Sequence, residues 1–357
     1  MEKTNNANTA ETKNTNLPIN NGPEIASKFL VPGSMYQERY STGFKTLDDV
    51  LHGGFSKGLN LIGAVPGIGK SALCINLAYE MCKVGTRVIY LSLEMDADAE
   101  VMTRMISLQS SELYGLTADA FTVEELTRFT EKQFIKWEKE KQSRYYATVE
   151  AVTSATKTLT VWENQDGTYT SERLEKDLEQ YFATSNDSEN VPILIVDYVQ
   201  ILDSANTHKY GTDKMRVEAT LRNLKSLSVK YNMPIIVISA LSRESYRKGV
   251  EISSFKETGL MEYIASTIIG LDLEGIEDKN FNFKKAMKAN PRKINLSVLK
   301  TRSIPQGDDI GFDFHLSYNR IIERGYRQEA KENKAVKNEK YSHNDLLGCT
   351  VDSKMFS

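Results

Sequence analysis

The residues of this chain best suited to chemistry lie in the stretch LIGAVPGIGKSALC, residues 61–74. Lys70 and Ser71 follow the glycines Gly67 and Gly69, between an apolar run and a helical pattern. The N–H groups of such a loop and helix start bind phosphate, the lysine adds a positive charge, and the serine hydroxyl is a ligand for Mg²⁺. We therefore predict a nucleoside triphosphate site. The residues predicted to hold the nucleotide are Pro66, Gly67, Ile68, Gly69, Lys70, Ser71 and Ala72.

One position departs from the strict form of this pattern, G-x-x-x-x-G-K-[ST], which begins with glycine where this chain has Ala64. That first position lies where the chain leaves the preceding strand, and a methyl group is tolerated there. Ala64 therefore does not argue against a phosphate-binding loop.

Two carboxylates follow apolar runs that indicate buried strands, Asp197 in ILIVDYVQ and Glu94 in YLSLEM. Ligands of open α/β sheets bind at the carboxyl ends of parallel strands, so we expect both side chains near the loop. Asp197 is predicted to hold Mg²⁺ with Ser71, and Glu94 to act as general base on the attacking water. The alternatives are a purely structural aspartate, and a glutamate that caps the helix starting near Asp96.

Apolar runs alternate with helical patterns from about residue 41, which predicts an α/β fold with a mostly parallel sheet. The predicted strands of this part are LNLIGAV, RVIYLSLEM, LTVWEN, VPILIVDYVQIL and MPIIVISAL. The predicted helices cover 70–84, 96–109, 123–146, 170–182 and 212–231. After residue 266 the runs STIIGLDL, INLSVLKTR and GFDFHLS follow without long helices, so we expect an antiparallel extension of the sheet.

The composition is that of a soluble globular protein, with 40% hydrophobic and 26% charged residues. A net charge of -3 gives no general attraction to nucleic acid, so any such contact must come from local loops. The three cysteines form no C-x-x-C pair, and the chain has neither a signal segment nor an apolar run near the ~20 residues that span a bilayer. These features predict a cytoplasmic protein without a membrane segment.

The order of the motifs resembles the RecA-like ATPase domain of DnaB-type replicative helicases. The stretches that carry the resemblance, over about 41–320, are STGFKTLDDVLHGGFSKGLNLIGAVPGIGKSA, VIYLSLEM, ILIVDYVQIL, LRNLKSLSVKYNMPIIVISALSRE, KETGLMEYIAS and LSVLKTRSIPQG. Phosphate loops of this family often open with alanine. The resemblance implies a RecA-like P-loop ATPase domain over 41–322, with ATP and Mg²⁺ as ligands. Outside it, residues 1–22 are rich in Asn and Thr with few core-forming side chains, which predicts a disordered tail followed by a short linker to residue 40. The polar, basic residues 323–357 are predicted to form a mobile tail. Within 23–40, a docking arm and a plain linker both remain possible.

The resemblance also implies that ATP sites are shared between subunits. Lys300 and Arg302 in LKTRSIPQG match the family's two basic residues that reach into the neighbouring site, where Arg302 would be an arginine finger. A homo-oligomeric ring, in this family a hexamer, follows. Judged by spacing alone, both side chains would be solvated ends of an edge strand.

The resemblance further places single-stranded DNA against loops that face the central pore of the ring. The corresponding segments are 203–214 and 243–259, and the second mixes cations with Tyr246 and Phe255. The residues predicted to contact DNA are Arg243, Arg247, Lys248, Lys256, Glu257 and Gly259. Without the resemblance this would be an ordinary polar loop. A further basic run, KKAMKANPRK (284–293), is predicted to be a solvated hairpin tip.

Two departures from the family pattern leave an alternative function open. The family's strand reads SQLSR where this chain has SALSR, so Ala240 replaces a glutamine that senses the γ-phosphate and couples it to DNA. Alanine has no side-chain hydrogen bond to offer, so this coupling is expected to be weakened or to be rerouted through Ser239 or Ser242. Only ~40 residues precede the ATPase region, fewer than the family's helical N-terminal domain contains. We therefore expect rings to assemble through the ATPase domain alone or with the help of a loader or replication partner. The alternative is a DnaB-derived, nucleotide-switched scaffold, loader-like, defence-system or mobile-element factor. A recombinase or clock-like RecA relative is disfavoured by KTRSIPQG.

Overall fold

The structure is a computed structural model that describes residues 26, 38–165, 167–184, 191–202, 212–241, 249–255, 259–301 and 309–326. The chain divides into two units, residues 1–38 and 39–357, and the fold described below is that of the second. Among the described residues, no helix combines the length and the apolar character needed to cross a membrane.

A nine-stranded sheet forms the centre of the fold, and a separate two-stranded ribbon precedes it. The strands are β1 (Arg39–Tyr40), β2 (Phe55–Ser56), β3 (Gly58–Ala64), β4 (Val88–Ser92), β5 (Leu159–Glu163), β6 (Ile193–Asp197), β7 (Pro234–Ala240), β8 (Thr267–Leu273), β9 (Arg292–Thr301), β10 (Ile310–His315) and β11 (Arg320–Tyr326). The order across the sheet is β11-β10-β9-β8-β3-β7-β6-β4-β5. Strands β8, β3, β7, β6, β4 and β5 are mutually parallel, whereas β9, β10 and β11 each run antiparallel to their neighbours.

This arrangement confirms the predicted fold class, a mostly parallel sheet with an antiparallel extension at its C-terminal side. The helices are α1 (Lys45–Val50), α2 (Lys70–Lys83), α3 (Thr103–Tyr114), α4 (Val123–Arg128), α5 (Glu131–Phe134), α6 (Lys139–Ala155), α7 (Ser171–Thr184), α8 (Asp213–Lys230), α9 (Leu260–Ile264) and α10 (Phe283–Lys288). Strands β3, β4, β6 and β8 are buried along their whole length, as their continuous apolar sequences require of strands covered on both faces.

The long helix predicted over 123–146 is wrong, because the chain forms three shorter helices there. Helix α4 ends before Phe129, which has an extended backbone. Thr130 is the N-cap of α5 and forms a capping box with Gln133. Phe129 then packs against the rings of Trp137 and Tyr145. These aromatic contacts lie at the break between α4 and α5 and hold the segment against α6.

The helix predicted over 96–109 also differs, since it starts with a π-helical segment, Ala97–Met102, before α3 begins. Strand β11 and helix α10 were not predicted. Because β11 ends at Tyr326, it includes residues 323–326, which the sequence pattern assigned to the C-terminal tail. The strand pairs with β10 and completes the antiparallel side of the sheet.

Candidate active site

A cleft of about 710 Å³ lies at the carboxyl ends of the parallel strands. The strand register places these ends level with one another, since Ala64 pairs with Ala240 across β3 and β7, and Ser92 pairs with Asp197 across β4 and β6. The described residues that line the cleft are Pro66, Gly67, Gly69, Lys70, Ser71, Ala72, Glu94, Met95, Glu100, Arg104, Tyr198, Ala240, Arg292, Phe314, Leu316 and Asn319. The fold therefore brings the predicted loop and the ends of β4 and β7 to one cleft.

The predicted phosphate loop connects β3 to α2, and its glycines adopt conformations that other residues rarely take. Gly67 has a φ of 80° and Gly69, which precedes the first residue of α2, has a φ of 132°. Ile68 between them is completely buried. The loop thus presents backbone groups and a helix N-terminus to the cleft, as phosphate binding requires.

Lys70 lies at the first position of α2 and lines the cleft. Partial burial lowers the pKa of its ammonium, and the negative charges of Asp197 and Glu94 oppose that shift. An ammonium that has lost part of its hydration gains more from a phosphate anion than an exposed one would.

Asp197 ends β6 with only 2% of its surface exposed. The hydroxyl of Tyr90 on β4 donates to its Oδ2 at 2.7 Å, whereas Oδ1 is buried and accepts no hydrogen bond from the described residues. Burial raises the pKa of Asp197, and the hydroxyls of Tyr90 and Ser71 oppose the shift by favouring the charged form. A buried carboxylate oxygen without a donor, beside a serine hydroxyl, is a donor set that fits Mg²⁺.

Glu94 follows β4, is exposed, and lines the same cleft. The alternative in which Glu94 caps the next helix is wrong, because Asp96 holds that position and its Oδ1 accepts from the N–H of Ala99 at 2.6 Å. The carboxylate of Glu94 is therefore placed where it can meet a water molecule in the cleft.

Ala240 lines the cleft at the end of β7, where the family pattern has glutamine. Ser239 has only 1% of its surface exposed and accepts from the side chain of Gln200 at 3.1 Å. The amide of Gln200 also bonds both backbone groups of Ala240, donating to its oxygen at 3.1 Å and accepting from its nitrogen at 3.3 Å. Gln200, which sequence reasoning missed, ties the segment after β6 to the end of β7; Ser242 lies outside the described residues.

Arg292 is the second residue that sequence reasoning missed, and the prediction of a solvated tip over 284–293 is wrong for it. Residues 283–288 form α10, and Arg292 begins β9 with 6% of its surface exposed. Its Nη1 donates to the carbonyl oxygens of Gly67 and Ile68, both at 2.8 Å. A basic run is usually solvated, and nothing near Arg292 in the sequence signals a contact with a loop 225 residues away.

The remaining predicted residues are not brought to this cleft by the described chain. Lys300, near the end of β9, donates to the carbonyl oxygen of Glu262 of its own chain. Gly259 immediately precedes α9. The other predicted residues lie outside the described part of the chain: Arg243, Arg247, Lys248, Lys256, Glu257 and Arg302.

Comparisons with known proteins agree with this geometry. Residues 40–323 match the family model of the DnaB-like helicase C-terminal domain. The replicative DNA helicase DnaB of Mycoplasma pneumoniae is 23% identical over 308 residues, which cover 83% of this chain and 59% of that protein. The chain thus spans less than two thirds of this relative's length.

Two solved structures share the fold. One, an ATPase domain, gives a TM-score of 0.66 at 18% identity, covering 84% of this chain and 95% of that one. A structure of a DnaB-like replicative helicase and its interactions with primase gives the same TM-score and identity, covering 84% of this chain and 66% of that one.

Proposed function

This chain belongs to the family of DnaB-like helicase C-terminal domains, and on that premise we propose that it hydrolyses ATP and couples the hydrolysis to movement along single-stranded or forked DNA. The observation that carries the proposal is the meeting of three elements at one sheet edge. Lys70 and Ser71 lie at the start of α2, Glu94 follows β4, and Asp197 ends β6 beside Ser71. This set provides every protein group that phosphoryl transfer to water needs within one subunit.

Each of these residues has a separate part in the proposed reaction. The loop amides and Lys70 hold the β- and γ-phosphates, while Ser71 and Asp197 would hold Mg²⁺. When bound, Mg²⁺ supplies positive charge that offsets the charge of the phosphate oxygens. Glu94 accepts a proton from a water molecule while the oxygen of that water bonds to the γ-phosphorus. The bond between the γ-phosphorus and the β–γ bridging oxygen breaks, and ADP leaves.

We propose that Lys300 and Arg302 act on the site of a neighbouring subunit in a hexameric ring. The register supports this assignment, because Lys300 pairs with Ile268 near the start of β8, at the sheet edge opposite the phosphate loop. Lys300 therefore lies at a part of the sheet remote from its own ATP site. A head-to-tail contact between identical subunits closes into a ring when the rotation permits.

Contact with DNA is assigned in this proposal to the loops that hold Arg243, Arg247, Lys248, Lys256, Glu257 and Gly259. The described residues that flank these loops attach to β3 just before the phosphate loop. The N–H of Leu241 donates to the oxygen of Ala64 at 3.1 Å, and the ring of Phe255 packs directly on Gly63. These contacts support a mechanical link from the ATP site to the DNA.

The proposal extends to partner proteins. One neighbour in structure is described with its interactions with primase, and we propose that this chain too works beside a replication partner or a loader. A cytoplasmic location is part of the same proposal.

A second function is favoured by the side chain at position 240. Ala240 presents only a methyl group to the cleft, and the nearby amide of Gln200 is bonded to the backbone of that same residue. A site without a free side-chain amide at the end of β7 could bind and hydrolyse ATP without driving processive unwinding. The chain would then be a nucleotide-switched scaffold or loader-like factor.

ATP hydrolysis with and without single-stranded DNA tests the proposed function. We expect DNA to stimulate turnover by wild type, and Lys70→Ala to abolish it. Lys157→Ala, which removes an exposed lysine before β5, serves as the control and should keep wild-type turnover. Turnover by Lys70→Ala at the wild-type rate would overturn the site, whereas turnover indifferent to DNA would favour the switch.

A further inference from the structure

A buried arginine contacts the carbonyl oxygens of the phosphate loop. Nη1 of Arg292 donates to the carbonyl oxygens of Gly67 and Ile68, and Nη2 donates to that of Met287. Among the described residues Arg292 forms no ion pair with a carboxylate, and burial lowers the pKa of its guanidinium. A buried charge without a carboxylate partner is costly, so the carbonyl oxygens that accept from Arg292 are the groups on which it acts most directly.

These two hydrogen bonds fix the direction of two N–H groups. In a trans peptide the carbonyl oxygen and the following N–H point in opposite directions. Because Arg292 holds the oxygens of Gly67 and Ile68 on its own side, the N–H groups of Ile68 and Gly69 point away from it, on the side where phosphate binds to such a loop. The positive charge also polarises both peptides and makes these N–H groups stronger donors.

A neighbouring ring supports the loop beside Arg292. Phe314 on β10 pairs with Arg292 in the strand register, and the guanidinium carbon lies 5.7 Å from the ring centre. A Cβ added to Gly69 would lie 3.0 Å from the ring of Phe314. The antiparallel extension thus holds the loop at three successive residues, from 67 to 69.

We propose that Arg292 is a positioning residue that holds the phosphate loop in its nucleotide-binding conformation before the nucleotide arrives. The proposal rests on the proposed function only in taking this loop as the ATP site. It places the effect of Arg292 on binding, because the residue acts on peptides that surround the phosphates and not on the water or Glu94. Loss of the guanidinium should therefore raise the Kd for ADP and the KM for ATP together, with kcat little changed.

Equilibrium binding of a fluorescent ADP to the full chain, together with ATPase kinetics, tests this inference. If Arg292→Met leaves the loop in the competent conformation one tenth of the time, Kd and KM rise about tenfold. Arg292→Lys keeps the charge and can reach one carbonyl, so it should recover part of the affinity. Arg320→Met is the matched control, since Arg320 donates to the carbonyl oxygen of Ser111 at 2.7 Å outside this cleft.

The outcomes separate positioning from simple loss of structure. The inference is supported if Arg292→Met weakens ADP binding, Arg292→Lys binds more tightly than Arg292→Met, and Arg320→Met binds as wild type. Circular dichroism gives the folded fraction of each variant. The inference is overturned if folded Arg292→Met or Arg292→Lys binds ADP as wild type does. It is also overturned if the kcat of Arg292→Met falls while its KM is unchanged. Failure to unwind DNA would contradict the proposed function and leave this inference standing, whereas a wild type that binds no nucleotide would overturn both.

Discussion

Arg292 and Lys300 lie near opposite ends of the same strand, β9. Arg292 holds the carbonyl oxygens of Gly67 and Ile68, whereas Lys300 lies eight residues later, opposite Ile268 near the start of β8. Eight residues of extended strand span about 26 Å. One strand therefore contacts the subunit's own phosphate loop at one end and carries Lys300, which is proposed to act on the neighbouring subunit, at the other.

Subunits that carry different defects should complement one another. Lys70→Ala removes a residue of the subunit's own site, and Arg302→Ala removes the residue proposed to enter the neighbour's site. In a ring mixed at random from equal amounts, about a quarter of the interfaces regain both residues, so part of the ATPase activity should return. Mixing Lys70→Ala with Glu94→Gln is the control, because both defects belong to the same side of the interface. Absence of any gain over the separate variants would count against shared sites.

Glu94→Gln should stop hydrolysis while leaving nucleotide binding intact. The side chain is exposed in the cleft, and the amide cannot accept the proton of water. We expect kcat to fall by at least about 100-fold, the usual contribution of a general base, with Kd for ADP unchanged. Glu100→Gln alters another carboxylate of the same cleft and should retain activity. A Glu94→Gln variant with wild-type kcat would remove Glu94 from the mechanism.

Tyr90→Phe should raise the Mg²⁺ concentration needed for half-maximal hydrolysis. The hydroxyl of Tyr90 donates to Oδ2 of Asp197 at 2.7 Å and favours its charged form, so its loss raises the pKa of Asp197 further. The unpaired buried acceptor should also lower the free energy of unfolding by about 1–3 kcal/mol.

The control for this variant is Tyr79→Phe. Tyr79 is equally buried, and its hydroxyl donates to Gln109 outside the cleft. Both variants should be less stable to urea, and only Tyr90→Phe should change the Mg²⁺ dependence. A common shift in Mg²⁺ dependence would show that stability, and not the carboxylate, sets it.

Stability should fall as pH rises toward neutrality because of Asp272 on β8. Burial raises the pKa of this carboxyl from 3.8 to about 7; the negative charges of Glu277 and Asp309 add to the shift, and the N–H groups of Val250 and Leu273 oppose it. Between these values the folded state holds a proton that the unfolded state has lost, so the free energy of unfolding decreases with increasing pH.

Urea unfolding at pH 5 and pH 8 measures this contribution. Relative to Asp272→Asn, the wild type should lose about 2–3 kcal/mol between these pH values. Asp49→Asn, a change at an exposed aspartate of α1, should follow the wild type. Identical pH dependence of wild type and Asp272→Asn would show that Asp272 is ionised throughout this range.

The central sheet could be predicted because local sequence largely determines it. Runs such as ILIVD and PIIVISA are short, rich in β-branched residues and apolar on both faces, which suits a strand covered by helices on both sides. The phosphate loop could be predicted for the same reason, since its function depends on glycines and on a strand and helix directly beside it.

The parts that could not be predicted depend on contacts distant in sequence. Arg292 is indistinguishable from its basic neighbours until the fold brings β9 beside the phosphate loop. The hydrogen bonds of Gln200 to Ala240 likewise join the ends of two strands. The break at Phe129 depends on aromatic packing, which competes successfully with a helical charge pattern.

Strand displacement on forked DNA tests most directly whether this chain is an ATP-driven helicase. Wild type and Lys70→Ala are compared with and without ATP, and the native mass of the same samples is recorded. We expect displacement that requires ATP, is lost in Lys70→Ala, and is carried out by an assembly of six chains. Hydrolysis of ATP by a monomer or dimer, without displacement and without stimulation by DNA, would contradict this expectation.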